Sequence, residues 1–194
     1  DVDEQYPALS TKGGGYILSI YPKFHTSLFP DSHLNYEEQD DFLHDSSSSN
    51  AIQKIYICSM DGVQNFKPGD PIVIYRTADV GKSAEYSSVA TSVCVFKDYR
   101  NLNSFADEAS FIDECEKYSV FSREELRKIW KGRKYIHVIY FTYNATFPNK
   151  VIRKNLIEEA GIERNQYWGV VPLDATQLLR VLELGGLDES LIVN

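Results

Sequence analysis

The feature of this sequence that most constrains the fold is a long alternating run from about 85 to 97. From 89 to 95 every second residue is β-branched: Val89, Thr91, Val93 and Val95. The positions between them carry small or apolar residues: Ala90, Ser92, Cys94 and Phe96. A period of two residues places the two sets on opposite faces of an extended chain, so we predict a long strand here.

Similar patterns predict the other elements. β-branched and aromatic residues predict strands at 16–20, 52–58, 71–76, 135–143 and 167–171. Capping residues predict helices that begin at Ser104, Ser122, Asn149 and Asp174. The strands and helices do not alternate regularly. We therefore predict the α+β class: a mixed, barrel-like sheet of about six strands with about four flanking helices.

The length of 194 residues fits one domain with an ordinary hydrophobic core. Three glycines at 13–15 precede the first strand, so we interpret residues 1–15 as a linker or N-terminal arm and 16–194 as the domain. A carboxylate cluster followed by four serines predicts a flexible loop at about 36–50. Because the chain begins at Asp1 without Met, we expect it to be processed or cut from a longer protein.

The net charge of −8 is unevenly placed. Residues 1–50 hold nine acidic and two basic side chains, whereas the remaining 144 residues hold 19 acidic and 18 basic ones. The body of the chain is therefore close to neutral, which excludes only a broadly basic clamp on nucleic acid. Within it, residues 117–134 carry seven basic and two acidic side chains. We predict a phosphate-binding edge there, with a solvated helix face as the alternative: Arg127, Lys128, Lys131, Arg133 and Lys134.

Several sequence patterns that mark particular classes of protein are missing. Cys58, Cys94 and Cys115 have no CxxC spacing, so we expect buried thiols in a reducing compartment and a cytoplasmic protein. No apolar run approaches the roughly 18 residues that a membrane span needs, so no membrane contact is expected. The sequence contains no phosphate-binding glycine loop, HExxH or GxSxG motif. We therefore predict no cofactor, no metal and no catalytic residue.

Aromatic, polar and basic residues gather near the ends of predicted strands, where they could form a pocket for a flat polar ligand. Seven residues make up this predicted ligand site: Lys23, His25, Tyr75, Arg76, Thr77, Tyr86 and Ser88. The alternative is a set of core aromatic residues and surface polar residues. The pocket is favoured because Arg76 and Thr77 interrupt an apolar strand where packing residues would be expected.

Two adjoining segments, 67–77 (KPGDPIVIYRT) and 86–96 (YSSVATSVCVF), resemble the PUA-like superfamily that includes ASCH and EVE domains. In that superfamily a Gly-Asp turn feeds a barrel strand, and the next strand carries small and hydroxyl residues past a ligand cleft. Segments 21–32 and 186–193 look like the PUA-like module at the C-terminus of some bacterial GNAT-type acetyltransferases. The resemblance covers roughly residues 14–194.

The resemblance implies a PUA-like pseudo-barrel that binds RNA or a modified nucleobase or nucleotide in a cleft. By position, Arg76, Thr77, Tyr86 and Ser88 would lie near that cleft, with Lys23 and His25 at its edge.

Three functions follow as hypotheses. The first is a non-catalytic module that binds RNA or a modified nucleotide. The second is a regulatory domain that docks on a missing N-terminal acetyltransferase half or on another protein. The third is hydrolysis of acylated nucleosides, as in some ASCH proteins, for which Lys82 with Glu85, or Lys23 with Thr77, would supply the reactive groups.

Overall fold

A six-stranded mixed sheet forms the centre of the computed structural model, which describes residues 1–32, 34 and 51–193. The predicted flexible loop at 36–50 lies outside the described residues. The strands β1 to β8 are Leu9–Ser10, Gly15–Ile20, Gln53–Cys58, Pro71–Arg76, Val89–Asn101, His137–Ile152, Val170–Leu173 and Ile192–Val193. The order in the main sheet is β3-β6-β5-β4-β2-β7, in which β2 and β4 are parallel and the other neighbours are antiparallel. The α+β class and the six-stranded mixed sheet are confirmed.

The described residues form seven helices rather than about four. Helices α1 to α7 are Val2–Gln5, Pro22–Leu28, Ala84–Ser87, Glu108–Cys115, Arg123–Gly132, Arg153–Glu158 and Ala175–Leu184. Short 3-10 turns lie at Pro30–Ser32, Val63–Asn65, Leu102–Ser104 and Glu189–Leu191. None of these helices is long and apolar enough to cross a membrane.

Capping interactions define where several helices begin. The predicted boxes at Ser122 and Asp174 cap α5 and α7, with each cap side chain accepting a bond from the backbone three residues on. The helix expected from Ser104 begins later, because Asp107 and Ser110 form the capping box of α4. The helix expected from Asn149 begins after Ile152, because β6 continues through Val151 and pairs it with Ala90.

Three apolar clusters cover the sheet. On one face, Ile17 and Val73 pack with Leu178 and Val181 of α7. Residues of the opposite face form a second cluster with side chains from other elements: Leu18, Ile20, Ile72, Ile74, Phe29 and Phe141. The third cluster joins β3 and the first part of β6 to α4 and α5: Ile55, Val138, Phe111 and Leu126. Alternate residues of one strand therefore belong to different clusters, as the strand period requires.

The main sheet is curved but not closed. Its two longest strands, β5 and β6, change register at three places, and such bulges increase local twist. The edge strands are β3 and β7. The loop after β3 nevertheless reaches β7, because a Cβ placed at Gly62 would lie 3.3 Å from Val170. The two edges therefore approach each other without a backbone ladder between them in the described part of the chain.

The N-terminal residues contact the body of the domain. Strand β1 pairs with β8, and Leu9 is buried in the same cluster as Ile17. Asp3 also accepts a salt bridge from Lys97 at 2.7 Å. Residues 1–15, which we interpreted as an arm, thus include a buried side chain and two short elements.

Candidate functional site

A cavity of about 460 Å³ lies between the two edges of the curved sheet. One side is formed by the end of β3 and the loop after it: Tyr56, Ile57, Cys58, Ser59 and Met60. The other side is formed where β2, β4 and β6 end and β7 begins: Ser19, Tyr75, Thr77, Arg153, Trp168 and Gly169. Ala84 and Ser88, in and just after α3, close that side. Tyr21, Phe24, Phe121, Lys134, Tyr135 and Tyr167 complete the lining with Ala78.

An aromatic stack forms the rigid wall of the cavity. The Tyr75 and Trp168 ring centroids are 5.6 Å apart, and the Arg153 guanidinium lies 4.2 Å above the Trp168 ring. Trp168 is fixed in place because its Nε1 donates to the Arg164 carbonyl at 3.2 Å and its own carbonyl accepts from Ser19 Oγ at 2.5 Å. The backbone of Arg153 is held by a bond from its N–H to the Ser88 carbonyl, 3.0 Å away.

Two exposed tyrosines flank the cavity mouth. Tyr21 is 64% exposed and Tyr167 is 60% exposed. The Tyr167 ring lies directly over Gly169, where a Cβ would meet the Tyr167 hydroxyl and ring carbons at 2.1–2.7 Å. A glycine is therefore needed at 169 for Tyr167 to cover this edge of the mouth.

Buried polar atoms without hydrogen-bond partners gather at this cavity. Of the five such side-chain atoms in the described residues, three belong to lining residues: Tyr75 Oη, Thr77 Oγ1 and Arg153 Nε. The Ser88 and Arg153 side chains approach the Tyr75 hydroxyl without completing a well-aligned hydrogen bond. Since buried polar groups are nearly always satisfied in native proteins, such a concentration marks a place where a ligand group can bind.

The charged side chains that line the cavity in the described structure are both basic, Lys134 and Arg153. Burial raises the pKa of several other lining groups. Burial raises the pKa of Tyr75, although the Ser88 hydroxyl and the Arg153 guanidinium act in the opposite direction. Burial also raises the pKa of Cys58 to about 12 and that of Tyr56 above its usual range. The cavity is therefore suited to neutral or anionic ligands rather than to cations.

Three of the seven residues predicted for the ligand site line this cavity: Tyr75, Thr77 and Ser88. Ser88 Oγ accepts a bond from the Ala78 backbone at 2.9 Å, which fixes the segment between β4 and α3. Tyr86 is exposed outside the lining, with Lys154 Nζ 5.5 Å from its ring. Lys23 is exposed on α2, with its Nζ 5.5 Å from the Phe24 ring.

His25 and Arg76, two further residues of the predicted ligand site, do not line this cavity. Neighbouring residues of a strand point to opposite faces, so Tyr75 and Arg76 of β4 cannot enter the same cavity. Arg76 is 2% exposed and its guanidinium lies 3.2 Å from an Asp79 carboxylate oxygen. His25 is fully buried, with Nε2 2.7 Å from Thr91 Oγ1. Burial lowers the pKa of His25 to about 3, and the charges of Arg76 and Lys150 act in the same direction.

The predicted basic edge divides into residues with different surroundings. Arg127 lies 3.9 Å from Glu108, and Lys128 lies 2.9 Å from Glu124. Arg133 stacks 3.8 Å above Trp130, and Lys131 is exposed on α5. Lys134 alone among the five lines the cavity. Phosphate binding by this edge stays a prediction.

The groups considered for hydrolysis are not assembled around the cavity. Lys82 and Lys23 are exposed, and neither lines the cavity. Glu85 is engaged by Arg164 at 3.2 Å. Neither lysine has the buried surroundings that a lysine base requires.

Two important lining residues, Arg153 and Trp168, are only weakly indicated by the sequence pattern. Arg153 follows a strand that we predicted to end ten residues earlier, and Trp168 was assigned to a strand interior. Their stacking joins segments that only the folded sheet brings together. The single usable signal was Trp168-Gly169, an aromatic residue beside a residue that permits close approach.

Comparison with known proteins gives a match in structure only. No family model and no curated protein matches the sequence. The crystal structure of ASCH from Zymomonas mobilis matches with a TM-score of 0.51 and 11% identity, over 90% of this chain and 96% of that chain. A point mutant of that protein matches with a TM-score of 0.52 and 11% identity, over 89% of this chain and 97% of that chain. A weaker likeness, with a TM-score of 0.46 and 9% identity, covers 89% of this chain and 96% of the N-terminal domain of Thermococcus gammatolerans McrB bound to m5C DNA.

The expected likeness to an acetyltransferase module is absent from these findings, and an acetyltransferase partner has no support from them. The curved, open sheet and its match over nine-tenths of the chain show that this protein has the PUA-like fold of ASCH proteins.

Proposed function

We propose that this protein is a binding module that takes a nucleobase, from RNA or from a free or modified nucleotide, into the cavity between β3 and β7. The observation that carries the proposal is the coincidence of aromatic walls with three partnerless polar atoms, Tyr75 Oη, Thr77 Oγ1 and Arg153 Nε. A flat ring that carries hydrogen-bonding groups, on the ring itself or attached to it, is the ligand that uses both features. The volume of about 460 Å³ lies within the range of small-molecule sites.

Two physical terms favour such a ligand. Stacking of a base on an aromatic side chain contributes about 1–3 kcal/mol. An unsatisfied buried polar group costs about 1–3 kcal/mol, and a ligand that supplies its hydrogen bond removes that cost. Because the three polar atoms are enclosed in the unliganded arrangement, we expect small rotations of their side chains when a ring enters.

The lining favours binding over catalysis. Among the described residues that form it there is no histidine and no carboxylate, the usual groups for proton transfer near neutral pH. The lining tyrosines Tyr56 and Tyr75 and the thiol of Cys58 have raised pKa values, so they are protonated under those conditions. We therefore propose recognition without chemical conversion of the ligand.

A cytoplasmic location fits the same proposal. Cys58, Cys94 and Cys115 are all buried and reduced, as expected in a reducing compartment. Ribonucleotides and RNA are available there as ligands.

The test is a titration with the four ribonucleosides and with short single-stranded RNA, read by calorimetry and by tryptophan fluorescence. The combined Tyr75→Phe and Thr77→Val variant removes two hydroxyls while keeping the shape of the wall. We expect its dissociation constant for the best ligand to rise about tenfold.

The matched control is Tyr99→Phe with Thr176→Val, which removes the same groups outside the cavity. Tyr99 bonds to His137 at 2.9 Å, and Thr176 is exposed on α7. We expect the control to bind like the wild type. Equal affinity of the cavity variant and the control, or no binding by the wild type at low salt, would contradict the proposal.

A further inference from the structure

Arg153 differs from the other arginines in how its charge is balanced. The chain has eight arginines, all within the described residues. Six of them have a carboxylate oxygen within 4.0 Å: Arg76, Arg100, Arg123, Arg127, Arg164 and Arg180. Arg133 has no carboxylate partner in the described structure, but its side chain is exposed and donates a hydrogen bond to Asn103 Oδ1 at 3.2 Å. Arg153 is partly buried and has no carboxylate partner in the described structure.

A partly buried guanidinium without a counter-ion is unfavourable, because it loses hydration without regaining an opposite charge. The Trp168 ring compensates the face of the Arg153 guanidinium through a cation-π contact at 4.2 Å. The edge of the Arg153 guanidinium is not compensated, because its Nε–H group is buried and donates to no acceptor. The arrangement is therefore completed by an acceptor that carries negative charge.

The neighbouring groups fit an oxyanion. Tyr75 Oη and Thr77 Oγ1 can both donate hydrogen bonds. Thr77 Oγ1 has no hydrogen-bond partner in the described residues, and Ser88 and Arg153 approach Tyr75 Oη without completing a well-aligned bond. The lining supplies no carboxylate that would compete for the guanidinium or repel an anion. A guanidinium and two hydroxyls provide several donors to a tetrahedral phosphate, for which arginine forks are well suited.

We propose that the cavity ligand carries a terminal phosphate, which Arg153 binds inside the cavity together with the hydroxyls of Tyr75 and Thr77. This inference rests on the proposed function and names its ligand class: a nucleotide with a terminal phosphate, free or at the end of a strand. The base then occupies the opposite, aromatic side of the cavity, formed by Tyr56, Phe121 and Tyr135. The phosphate site is thus within the cavity and not on α5, where Arg127 and Lys128 already face carboxylates.

The test compares each ribonucleoside with its 5′- and 3′-monophosphates by calorimetry at one ionic strength. For the wild type we expect the better monophosphate to bind at least about tenfold more tightly than the nucleoside. Arg153→Gln should remove this advantage, so that the variant binds the nucleoside and its monophosphate with similar affinity. Arg180→Gln, the same change at an exposed ion-paired site on α7, should retain the advantage.

Other outcomes overturn the inference in separable ways. If nucleosides bind the wild type as tightly as monophosphates, the phosphate site is wrong while the base-binding proposal stands. If neither class binds, the proposed function itself fails. If the advantage survives Arg153→Gln and is lost in Arg127→Gln with Lys128→Gln, the phosphate lies on α5 and the inference is again wrong.

Two further arms complete the experiment. Arg153→Lys keeps the charge without the planar fork, so it should retain part of the phosphate advantage even if Arg153→Gln is too unstable to titrate. Oligonucleotides of one sequence, with and without a terminal phosphate, distinguish the end of a strand from a free nucleotide as the ligand. If the phosphate raises the affinity of oligonucleotides as much as that of mononucleotides, the ligand is a strand end. If it raises only the affinity of mononucleotides, the ligand is a free nucleotide.

Discussion

His25 shows how burial sets the protonation state of a single side chain. It is fully buried, and its pKa is lowered to about 3 mainly by desolvation, with further contributions from the charges of Arg76 and Lys150. In the unfolded chain an ordinary histidine has a pKa of about 6.5. Between these two values the unfolded state binds a proton that the folded state does not bind. The free energy of unfolding therefore falls as the pH is lowered below about 6.5.

We predict that His25→Gln makes stability less dependent on pH. Between pH 7 and pH 5, the His25 term should remove about 2 kcal/mol from the wild type and nothing from the variant. Urea unfolding at the two pH values measures the difference. The carboxylates and His137 are present in both proteins, so their contributions to the pH dependence of stability cancel in the comparison. If both proteins lose the same free energy of unfolding between pH 7 and pH 5, His25 is protonated in the folded state and the prediction is wrong.

At this scale the sequence supported only part of the candidate site. Thr77 and Ser88 could be placed at strand ends, where small polar residues stand beside a turn, and both line the cavity. Arg76 was grouped with Tyr75 although the strand period separates them. The Arg153–Trp168 stack was beyond prediction, because it depends on the curvature that joins the end of β6 to the start of β7.

The start of helix α5 is set by a capping box whose two residues lie close together in the sequence. Ser122 Oγ accepts from the Glu125 N–H at 3.2 Å, and Glu125 Oε2 accepts from the Ser122 N–H at 2.8 Å. The helix places Leu126 and Ile129 against β3 and β6, behind the aromatic side of the cavity. Loss of the cap would therefore weaken the packing of α5 on the sheet.

We predict that Ser122→Ala lowers the free energy of unfolding by about 1 kcal/mol. Chemical denaturation followed by circular dichroism measures the change. Lys131→Ala on the same helix is the control and should change stability by less than about 0.5 kcal/mol. A Ser122→Ala variant as stable as this control would mean that the cap contributes nothing.

The start of a helix could be predicted where its capping residues lie close together in the sequence. The end of a strand could not be predicted where it depends on pairing with a distant strand. The capping residues of α5 and α7 were recognised because each box lies within four consecutive residues. The extent of β6 was not, since Val151 and Ile152 suit a helix face as well as a strand. Their pairing with Ala90 and Val89 decides for the strand.

At the scale of the whole molecule, the N-terminal residues are tied to the C-terminus by the β1–β8 pair. Leu9 is 2% exposed and packs in the cluster beneath α7. Our interpretation of residues 1–15 as an arm assigned no stabilising role to this segment. The structure provides a direct test of that domain boundary.

We predict that Leu9→Ala lowers the free energy of unfolding by about 2–5 kcal/mol, because it opens a cavity in the core. Val193→Ala in the paired strand is the control, since Val193 is 45% exposed and its truncation should cost far less. Thermal and urea denaturation measure both changes. A neutral Leu9→Ala would favour the interpretation of residues 1–15 as a linker.

The fold class followed from the sequence because long alternating strands without regular βαβ order have few arrangements. The position of the cavity did not follow, because it depends on how far the sheet curls before its edges meet.

The open boundary between β3 and β7 has a mechanical consequence. Because side chains, not a backbone ladder, connect these edges across the cavity, moving them apart breaks no strand pairing in the described sheet. The cost of widening the cavity therefore lies in side-chain packing, because Val170 of β7 shares one buried apolar cluster with Tyr56 and Cys58 of β3. If a ring binds there as we propose, a bulky substituent would be opposed by lost apolar packing and not by lost hydrogen bonds of the sheet.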